Sequence, residues 1–288
     1  KNAVILAHYY VPKDVQEVAD FVGDSYYLAK KARETKAEII VFAGVSFMGE
    51  SAKILNPTKK VLLPDAEADC AMAHMASAKK VQEMREKYED LAVVCYINST
   101  AALKTVSDVC VTSSNAVKIV KALPNKNIFF IPDENLGNYV AKQVPEKNII
   151  LNDGYCPVHK QITVETVRQA KAKYPQAEFL AHPECTEGIL AEADFIGSTS
   201  DIINYAEKSS EKEFLIGTEE GVFAELMKKC PDKTFYSVMQ GQCCADMKKV
   251  TLKKVRDCIK EEQYEVKIIE DTREKAQKAL DRMLELAK

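Results

Sequence analysis

The chain has 288 residues, 47% hydrophobic and 29% charged, a length that allows one to three domains with sizeable cores. Lys plus Arg is 40 against 43 for Asp plus Glu, so the net charge of −3 offers no basic field for nucleic acid and no polybasic membrane anchor. There is no long apolar run and no signal peptide before the first predicted strand. With nine cysteines, an odd count, we expect a cytoplasmic enzyme that keeps its thiols reduced.

Short β-branched runs alternate with helical patterns along the chain, which predicts βαβ units and parallel sheets. The opening strands of three units are predicted at Ala3–His8, Leu91–Tyr96 and Glu178–His182, and their ends recur 88 and 86 residues apart. Second strands are predicted at Ile39–Ala43, Val109–Thr112 and Phe195–Gly197, and third strands at Val61–Pro64, Ile128–Pro132 and Phe214–Gly217. Fourth strands are predicted only in the second and third units, at Asn148–Leu151 and Thr234–Val238, so the first unit is expected to be shorter or to have different bounds.

A period of this length indicates domains, since solenoid repeats run roughly 20 to 50 residues. We expect three α/β domains, at residues 1–76, 77–162 and 163–288. The last carries the tail from Thr272 to Lys288, where charged residues alternate with Ala, Leu and Met at helical spacing. This pattern predicts a solvated terminal helix.

Three cysteines repeat with the same period. Cys70, Cys156 and Cys244 are 86 and 88 residues apart, and each stands in a turn-prone context before a helix-like segment. Three thiolates at the meeting point of three domains would make a metal or cluster site with one coordination position open to a non-protein ligand. Cys243 is ambiguous, because it could replace Cys244 as the ligand or be a redox-active thiol. The remaining cysteines are interpreted as structural, including Cys95 in an apolar strand.

Each opening strand ends in two polar residues that a strand places on one face. The pairs are His8 with Tyr10, Tyr96 with Asn98, and His182 with Glu184. Ligands bind beyond the carboxyl ends of strands in open parallel sheets, so these six side chains could line one cavity. Any one of them alone would more simply be a satisfied polar residue at a domain surface, but three such pairs at one repeated position favour a functional site.

Hydroxyl residues precede three predicted helices. Ser25 follows Gly23-Asp24, Ser113 lies in Thr112-Ser-Ser-Asn115, and Ser198 and Thr199 follow Gly197. Ordinary helix capping explains each motif taken singly. A helix N-terminus of this kind also binds phosphate or carboxylate groups, because free N–H groups and the helix dipole point at the anion.

His159 lies three residues after Cys156 and resembles a second ligand of a pair. The equivalent position after Cys244 is Met247, so we interpret His159 as a residue that supports a ligand or faces the substrate.

Taken together, the motifs and their order resemble those of the quinolinate synthase family. Quinolinate synthase is the second enzyme of de novo NAD biosynthesis from aspartate. The resemblance extends from the first strand to about Leu252. The motifs that carry it are Ala7-His-Tyr-Tyr10, Gly23-Asp-Ser25, Phe47-Met-Gly-Glu-Ser-Ala-Lys53, Tyr96-Ile-Asn-Ser99, Thr112-Ser-Ser-Asn115, Pro132-Asp-Glu-Asn-Leu-Gly137, Cys156-Pro-Val-His159, His182-Pro-Glu184, Gly197-Ser-Thr199, Gly217-Thr-Glu219 and Cys244-Ala-Asp-Met-Lys-Lys-Val-Thr-Leu252.

The resemblance implies three Rossmann-like domains around a pseudo-threefold axis and a central [4Fe-4S] cluster. By motif, its three cysteine ligands would be Cys70, Cys156 and Cys244, the last because the family's third ligand stands in a Cys-x-x-Met context. The fourth iron would be free.

The reaction implied by the resemblance condenses iminoaspartate with dihydroxyacetone phosphate and gives quinolinate with loss of phosphate and two waters. Its partners would be these small molecules, with functional coupling to L-aspartate oxidase or aspartate dehydrogenase. Anionic groups of the substrates would be held by Ser25, Ser113, Ser198 and Thr199. Intermediates would be oriented, and protons moved, by His8, Tyr10, Tyr96, Asn98, His159, His182 and Glu184, with Tyr10 and Glu184 the first choices for acid–base catalysis.

Two other functions remain open at this point. Thiolates alone do not fix the metal, so the chain could be another iron–sulfur or zinc hydro-lyase that acts on a different hydroxy acid. It could also be a non-catalytic iron–sulfur sensor of a phosphorylated ligand.

Overall fold

A computed structural model describes all 288 residues, which form three parallel sheets of four strands each. The first sheet contains β1 (Ala3–His8), β2 (Phe21–Gly23), β3 (Ile39–Ala43) and β4 (Lys60–Leu62). The second contains β5 (Leu91–Tyr96), β6 (Val109–Val111), β7 (Asn127–Ile131) and β8 (Asn148–Leu151). The third contains β9 (Glu178–Ala181), β10 (Phe195–Ile196), β11 (Glu213–Gly217) and β12 (Thr234–Ser237). The predicted α/β class with parallel sheets is therefore confirmed.

Fifteen α-helices connect and flank the strands. The first unit contains α1 (Lys13–Glu17), α2 (Ser25–Glu34), α3 (Ser46–Leu55) and a 3₁₀ turn at Ala71–His74. The second contains α4 (Ala78–Lys87), α5 (Ala101–Thr105), α6 (Ala116–Ala122), α7 (Glu134–Gln143) and α8 (Pro157–Lys160). The rest of the chain contains α9 (Val164–Lys173), α10 (Glu187–Leu190), α11 (Thr199–Lys208), α12 (Val222–Lys229), α13 (Ala245–Lys248), α14 (Leu252–Glu261) and α15 (Glu270–Leu286). None of these helices combines the length and the apolar character needed to cross a membrane.

All three sheets have the same strand order, with the first strand of the unit between the second and the third, and the fourth at the edge beyond the third. The connections after the first strand and after the third strand therefore leave in opposite directions. This change of direction opens a crevice at the carboxyl end of the first strand, where ligands bind in open α/β sheets. The fold thus repeats one ligand-binding geometry three times.

The expectation that the first unit is shorter was wrong. The strand that sequence reasoning missed is β2, which has only three residues and pairs in parallel with the end of β1. The predicted second and third strands of this unit are its third and fourth strands, β3 and β4. A three-residue strand carries too little periodicity to be detected in a sequence. With β2 included, Cys70 follows a fourth strand, as Cys156 and Cys244 do.

The terminal helix α15 is not the solvated element that the sequence predicted. Its residues Ala276, Ala279, Leu280 and Met283 are fully buried. They pack against α5, β6 and α3, which belong to the first and second units. The buried spacing of i, i+3, i+4 and i+7 forms one apolar stripe on an otherwise charged helix. The tail therefore contributes to the core that the first two sheets share.

Candidate active site

One cavity of about 80 Å³ lies at the carboxyl ends of the strands of all three sheets. Thirteen residues predicted from the sequence line it, namely His8, Tyr10, Ser25, Cys70, Tyr96, Asn98, Ser113, Cys156, His159, His182, Glu184, Thr199 and Cys244. The wall is completed by Asp24, Val45, Phe47, Met48, Asp69, Met72, Thr112, Val158, Glu219 and Met247. The structure thus brings together residues from three units that are far apart in sequence.

Ser198 is the one predicted site residue that does not line the cavity. Its hydroxyl accepts a hydrogen bond from the Asp201 N–H at 3.2 Å and donates to the Asp201 carboxylate at 2.6 Å. This is a capping box at the start of α11. The next residue, Thr199, directs its hydroxyl to Tyr10 at 2.7 Å. Capping and ligand contact are therefore divided between two adjacent residues.

The three cysteines occupy equivalent positions in their units. Each is the N-cap residue of a four-residue helical turn that follows the fourth strand, namely the 3₁₀ turn after Cys70, α8 after Cys156 and α13 after Cys244. Burial raises the pKa of each of the three thiols, and backbone N–H groups of the following turn act to lower it, from Met72 and Ala73 in the first unit, His159 in the second, and Asp246 and Met247 in the third. Such N–H groups stabilise a thiolate.

The donor set fits a thiolate-bound metal or cluster. All nine cysteines are free of disulfides, and three of them face this cavity. Burial raises the pKa of Cys70 to about 12 and that of Cys156 well above its ordinary value. A buried thiol of this kind stays protonated until a metal binds, and the metal then displaces the proton and takes the thiolate as a ligand. Cys243 does not line the cavity, so the geometry favours Cys244 at the doublet.

His159 is held in place by three polar neighbours. Its Nδ1 atom lies 2.8 Å from Glu184 Oε2 and 3.2 Å from Cys156 Sγ, and its Nε2 atom lies 2.9 Å from Thr218 Oγ1. The ligand atoms of Cys156, His159 and Glu184 lie within 4.8 Å of one another and could also hold a single metal ion. Because both ring nitrogens already have partners, the imidazole is suited to orienting its neighbours.

Two histidines at equivalent strand ends have the same backbone contact. His8 Nδ1 accepts the Tyr10 N–H and His182 Nδ1 accepts the Glu184 N–H, both at 3.2 Å. Burial lowers the pKa of each histidine to about 3, so both rings are neutral near pH 7. A neutral ring that accepts at Nδ1 carries its proton on Nε2. Each histidine therefore offers one N–H donor.

Glu184 is a buried carboxylate among these imidazoles. Burial acts to raise its pKa, but the influence of His159 and of the Tyr96 hydroxyl outweighs this effect and lowers the pKa below its ordinary value. Glu184 is therefore ionised at neutral pH. By contrast, burial raises the pKa of the Tyr10 and Tyr96 phenols well above the ordinary value, so both retain their protons. The site places a proton acceptor beside two proton donors.

Thr218 and Glu219 follow strand β11 and were given no role by sequence reasoning. Thr218 Oγ1 lies 2.8 Å from the Tyr10 hydroxyl, which makes it a bridge between Tyr10 and His159. Glu219 accepts the Cys244 N–H at 3.0 Å and pairs with Lys248 at 2.8 Å. Both residues lie in the Gly217-Thr-Glu219 motif, which is part of the family resemblance. Their roles were not predicted, because a threonine or glutamate after a strand is common and shows no repeated spacing.

Three convergent thiols, a buried carboxylate and neutral imidazoles at the meeting point of three parallel sheets define an α/β enzyme that uses a thiolate-bound metal centre. The profile of the NadA family, described as quinolinate synthetase A protein, matches residues 1–285. The chain belongs to this family, whose members bind an iron–sulfur cluster and act in NAD biosynthesis.

Individual relatives agree with the family match. The quinolinate synthase of Caldicellulosiruptor bescii is 53% identical over 286 residues, covering 99% of this chain and 94% of the relative. That of Fusobacterium nucleatum is 54% identical over 287 residues, covering 100% of this chain and 96% of the relative. Quinolinate synthase 2 of Methanosarcina acetivorans is 49% identical, covering 100% of this chain and 92% of the relative.

Proposed function

We propose that this enzyme condenses iminoaspartate with dihydroxyacetone phosphate to form quinolinate, phosphate and two waters. The observation that carries the proposal is the threefold repetition of one site geometry. Cys70, Cys156 and Cys244 are equivalent N-cap residues, and the same cavity is lined by a polar pair from each opening strand. We further propose that the three sheets are related by pseudo-threefold symmetry, which their identical strand order supports.

The cofactor is a [4Fe-4S] cluster with three cysteine ligands, Cys70, Cys156 and Cys244. When bound, such a cluster would supply a Lewis acid at the iron that lacks a cysteine, and the loss of hydroxyl groups as water needs one. The backbone N–H groups that act to lower the pKa of each thiol support thiolate ligation. Glu219 supports the third ligand by holding the Cys244 backbone.

Tyr10 and Glu184 perform acid–base catalysis. The Tyr10 phenol donates a proton, and the ionised Glu184 carboxylate accepts one, with His159 linking the two through Thr218. Condensation through an enediol and an imine needs both kinds of proton transfer near one carbon skeleton. Tyr96 acts to lower the pKa of Glu184 and so adjusts its basicity.

Substrate binding uses neutral donors around the cavity. His8 and His182 offer Nε2–H groups, while the carboxamide of Asn98 and the hydroxyls of Ser25, Ser113 and Thr199 hold anionic oxygens. The cradle for phosphate is the start of α11, where Thr199 faces the cavity and Ser198 fixes the helix end. The other donors named above would bind the carboxylate groups of the substrates.

The proposed domains are residues 1–76, 77–162 and 163–288. Each contains one complete sheet and one candidate cysteine ligand, which supports these boundaries. The reaction also needs a supply of iminoaspartate, so we propose functional coupling to L-aspartate oxidase or aspartate dehydrogenase. Nine free thiols suit the reducing cytoplasm, where we place the enzyme.

The test is an anaerobic assay of the reconstituted protein with aspartate, an enzyme that oxidises it, and dihydroxyacetone phosphate. We expect quinolinate at one equivalent per phosphate released, with iron and sulfide bound to the protein. Cys230→Ser is a control variant that should keep both the cluster and the activity, because Cys230 is buried and does not line the cavity. A protein that retains its cluster but forms no quinolinate would contradict the proposal.

A further inference from the structure

Lys104 is a fully buried lysine that forms no ion pair with a carboxylate. Its ammonium group donates to two backbone carbonyls, those of Ile97 at 3.0 Å and Ser99. It also lies 5.8 Å from the ring centroid of Phe47, which lines the active-site cavity. A buried charge with no carboxylate partner is unfavourable for folding. Burial acts to raise the pKa of the Cys95 thiol, but contact with Cys110 and the charge of Lys104 outweigh this effect and lower that pKa to about 6. The position of Lys104, directly behind the strand end that presents Tyr96 and Asn98, calls for a functional reason.

The second unit differs from the other two at this strand end. In the first and third units, the N–H of the second polar residue donates to the imidazole two residues before it, as Tyr10 does to His8 and Glu184 does to His182. The second unit has Tyr96 in place of the histidine and therefore has no ring nitrogen to accept. The Asn98 N–H has no acceptor within the protein.

The side chain of Asn98 is also incompletely satisfied, because its buried Oδ1 atom has no hydrogen-bond partner. Asn98 lines the cavity. In the first and third units, the corresponding N–H points at a histidine ring that lines the same cavity. The Asn98 N–H is therefore expected to point toward the cavity as well. Of the three equivalent backbone N–H groups, only that of Asn98 is therefore expected to be free to bind a substrate.

Lys104 acts on this donor through one peptide group. The carbonyl of Ile97 and the N–H of Asn98 belong to the same planar amide, in which they point in opposite directions. An ammonium group bound to the oxygen draws electron density from the amide and makes its N–H a stronger donor. The second bond, to the Ser99 carbonyl, holds the segment that follows Asn98.

We propose that Lys104 is a positioning residue that polarises the Asn98 N–H to bind a carboxylate oxygen of the substrate and of quinolinate. The inference rests on the proposed function, since it assigns one contact within that active site. The Asn98 N–H would bind a carboxylate rather than the phosphate, because the proposed phosphate site is the start of α11 in the third unit. The charge of Lys104 compensates the ligand's negative charge through the peptide rather than by direct contact.

The test titrates quinolinate into the anaerobically reconstituted enzyme by calorimetry. Lys104→Gln keeps a side-chain N–H donor and removes the charge, and we expect it to bind quinolinate about tenfold more weakly with an unchanged cluster spectrum. The KM for iminoaspartate should rise more than that for dihydroxyacetone phosphate. The matched control is Lys147→Met, because Lys147 donates to the carbonyls of Leu123 and Asn125 away from the cavity.

A second measurement uses the wild-type enzyme and does not depend on a variant folding. Saturating quinolinate should slow hydrogen exchange of the Asn98 amide at least tenfold. The Tyr10 and Glu184 amides, which are already bonded within the protein, should change less. Wild-type affinity in a folded Lys104→Gln variant, or unchanged exchange at Asn98, would overturn the inference. Failure of the wild type to bind or form quinolinate would instead overturn the proposed function.

Discussion

The hydroxyl oxygen of Tyr10 lies 2.8 Å from Oγ1 of Thr218, a residue of another sheet. Thr218 in turn contacts His159 Nε2 at 2.9 Å, and His159 Nδ1 lies 2.8 Å from the Glu184 carboxylate. A series of close polar contacts therefore joins the proposed acid to the proposed base. It passes only through buried side chains, so bulk water is not required to connect them.

We predict that Tyr10→Phe lowers kcat by about 10²- to 10⁴-fold, the usual contribution of a positioned acid–base group. Thr218→Val should lower kcat by a smaller factor, and Thr218→Ser should restore it because the hydroxyl returns. Steady-state assays of quinolinate formation provide the measurement. Tyr264→Phe is the control, since that ring is half exposed to solvent. Equal activity of Thr218→Val and wild type would remove Thr218 from the proton path.

The cysteine assignment predicts which thiols the cluster requires. Replacing Cys70, Cys156 or Cys244 singly by Ser should abolish the reconstituted [4Fe-4S] absorbance. Cys95→Ser and Cys258→Ser should retain it, because both sulfurs are buried in the core away from the cavity lining. The doublet offers a sharper comparison. A cluster that survives Cys244→Ser but not Cys243→Ser would exchange the ligand assignment between these neighbours.

Much of this site was predictable because its chemistry repeats. The interval between Cys70, Cys156 and Cys244 matches the interval between the opening strands, and both are visible in the sequence. All three strand-end pairs were likewise predicted, and all six side chains line the cavity. A repeated feature can be recognised three times, which compensates for the weak signal of each copy.

Features that occur once, or over few residues, were missed. Thr218 acquires its role from contacts with residues 208 and 59 positions away in the sequence, and no local pattern encodes such contacts. The strand β2 is too short to show alternation. The burial of Leu280 depends on α15 packing against helices of other units, which its charged sequence alone does not indicate.

The start of α11 predicts different consequences for two adjacent hydroxyls. Thr199→Val should raise the KM for dihydroxyacetone phosphate about tenfold or more, since a hydrogen bond to a charged group contributes about 1.5 to 3 kcal/mol. Ser198→Ala should instead lower the free energy of unfolding by about 0.5 to 2 kcal/mol, through loss of the helix cap. The cluster spectrum should stay unchanged in both.

Thr163→Val is the control for this pair, because Thr163 caps α9 outside the cavity lining. Kinetics and chemical denaturation on the same preparations separate binding from stability. An unchanged KM in Thr199→Val would reduce this motif to a helix cap.

Packing of the terminal helix predicts a stability effect. Leu280→Ala should lower the free energy of unfolding by about 2 to 5 kcal/mol, the cost of removing a fully buried leucine side chain. Leu252→Ala provides the matched control, since Leu252 is 39% exposed, and its effect should be within about 0.5 kcal/mol. Anaerobic denaturant unfolding of the two variants gives the comparison. Equal effects would contradict the burial of α15 in the shared core.

The central claim is that Cys70, Cys156 and Cys244 hold a four-iron cluster and leave one iron for the substrate. It is tested most directly by Mössbauer spectroscopy of protein reconstituted with ⁵⁷Fe, recorded with and without saturating quinolinate. We predict four irons per chain and a change confined to about one quarter of the iron absorption when quinolinate is added, because three cysteine sulfurs can occupy only three of the four irons. A single metal ion per chain at Cys156, His159 and Glu184, or a four-iron spectrum that quinolinate leaves unchanged, would contradict the account.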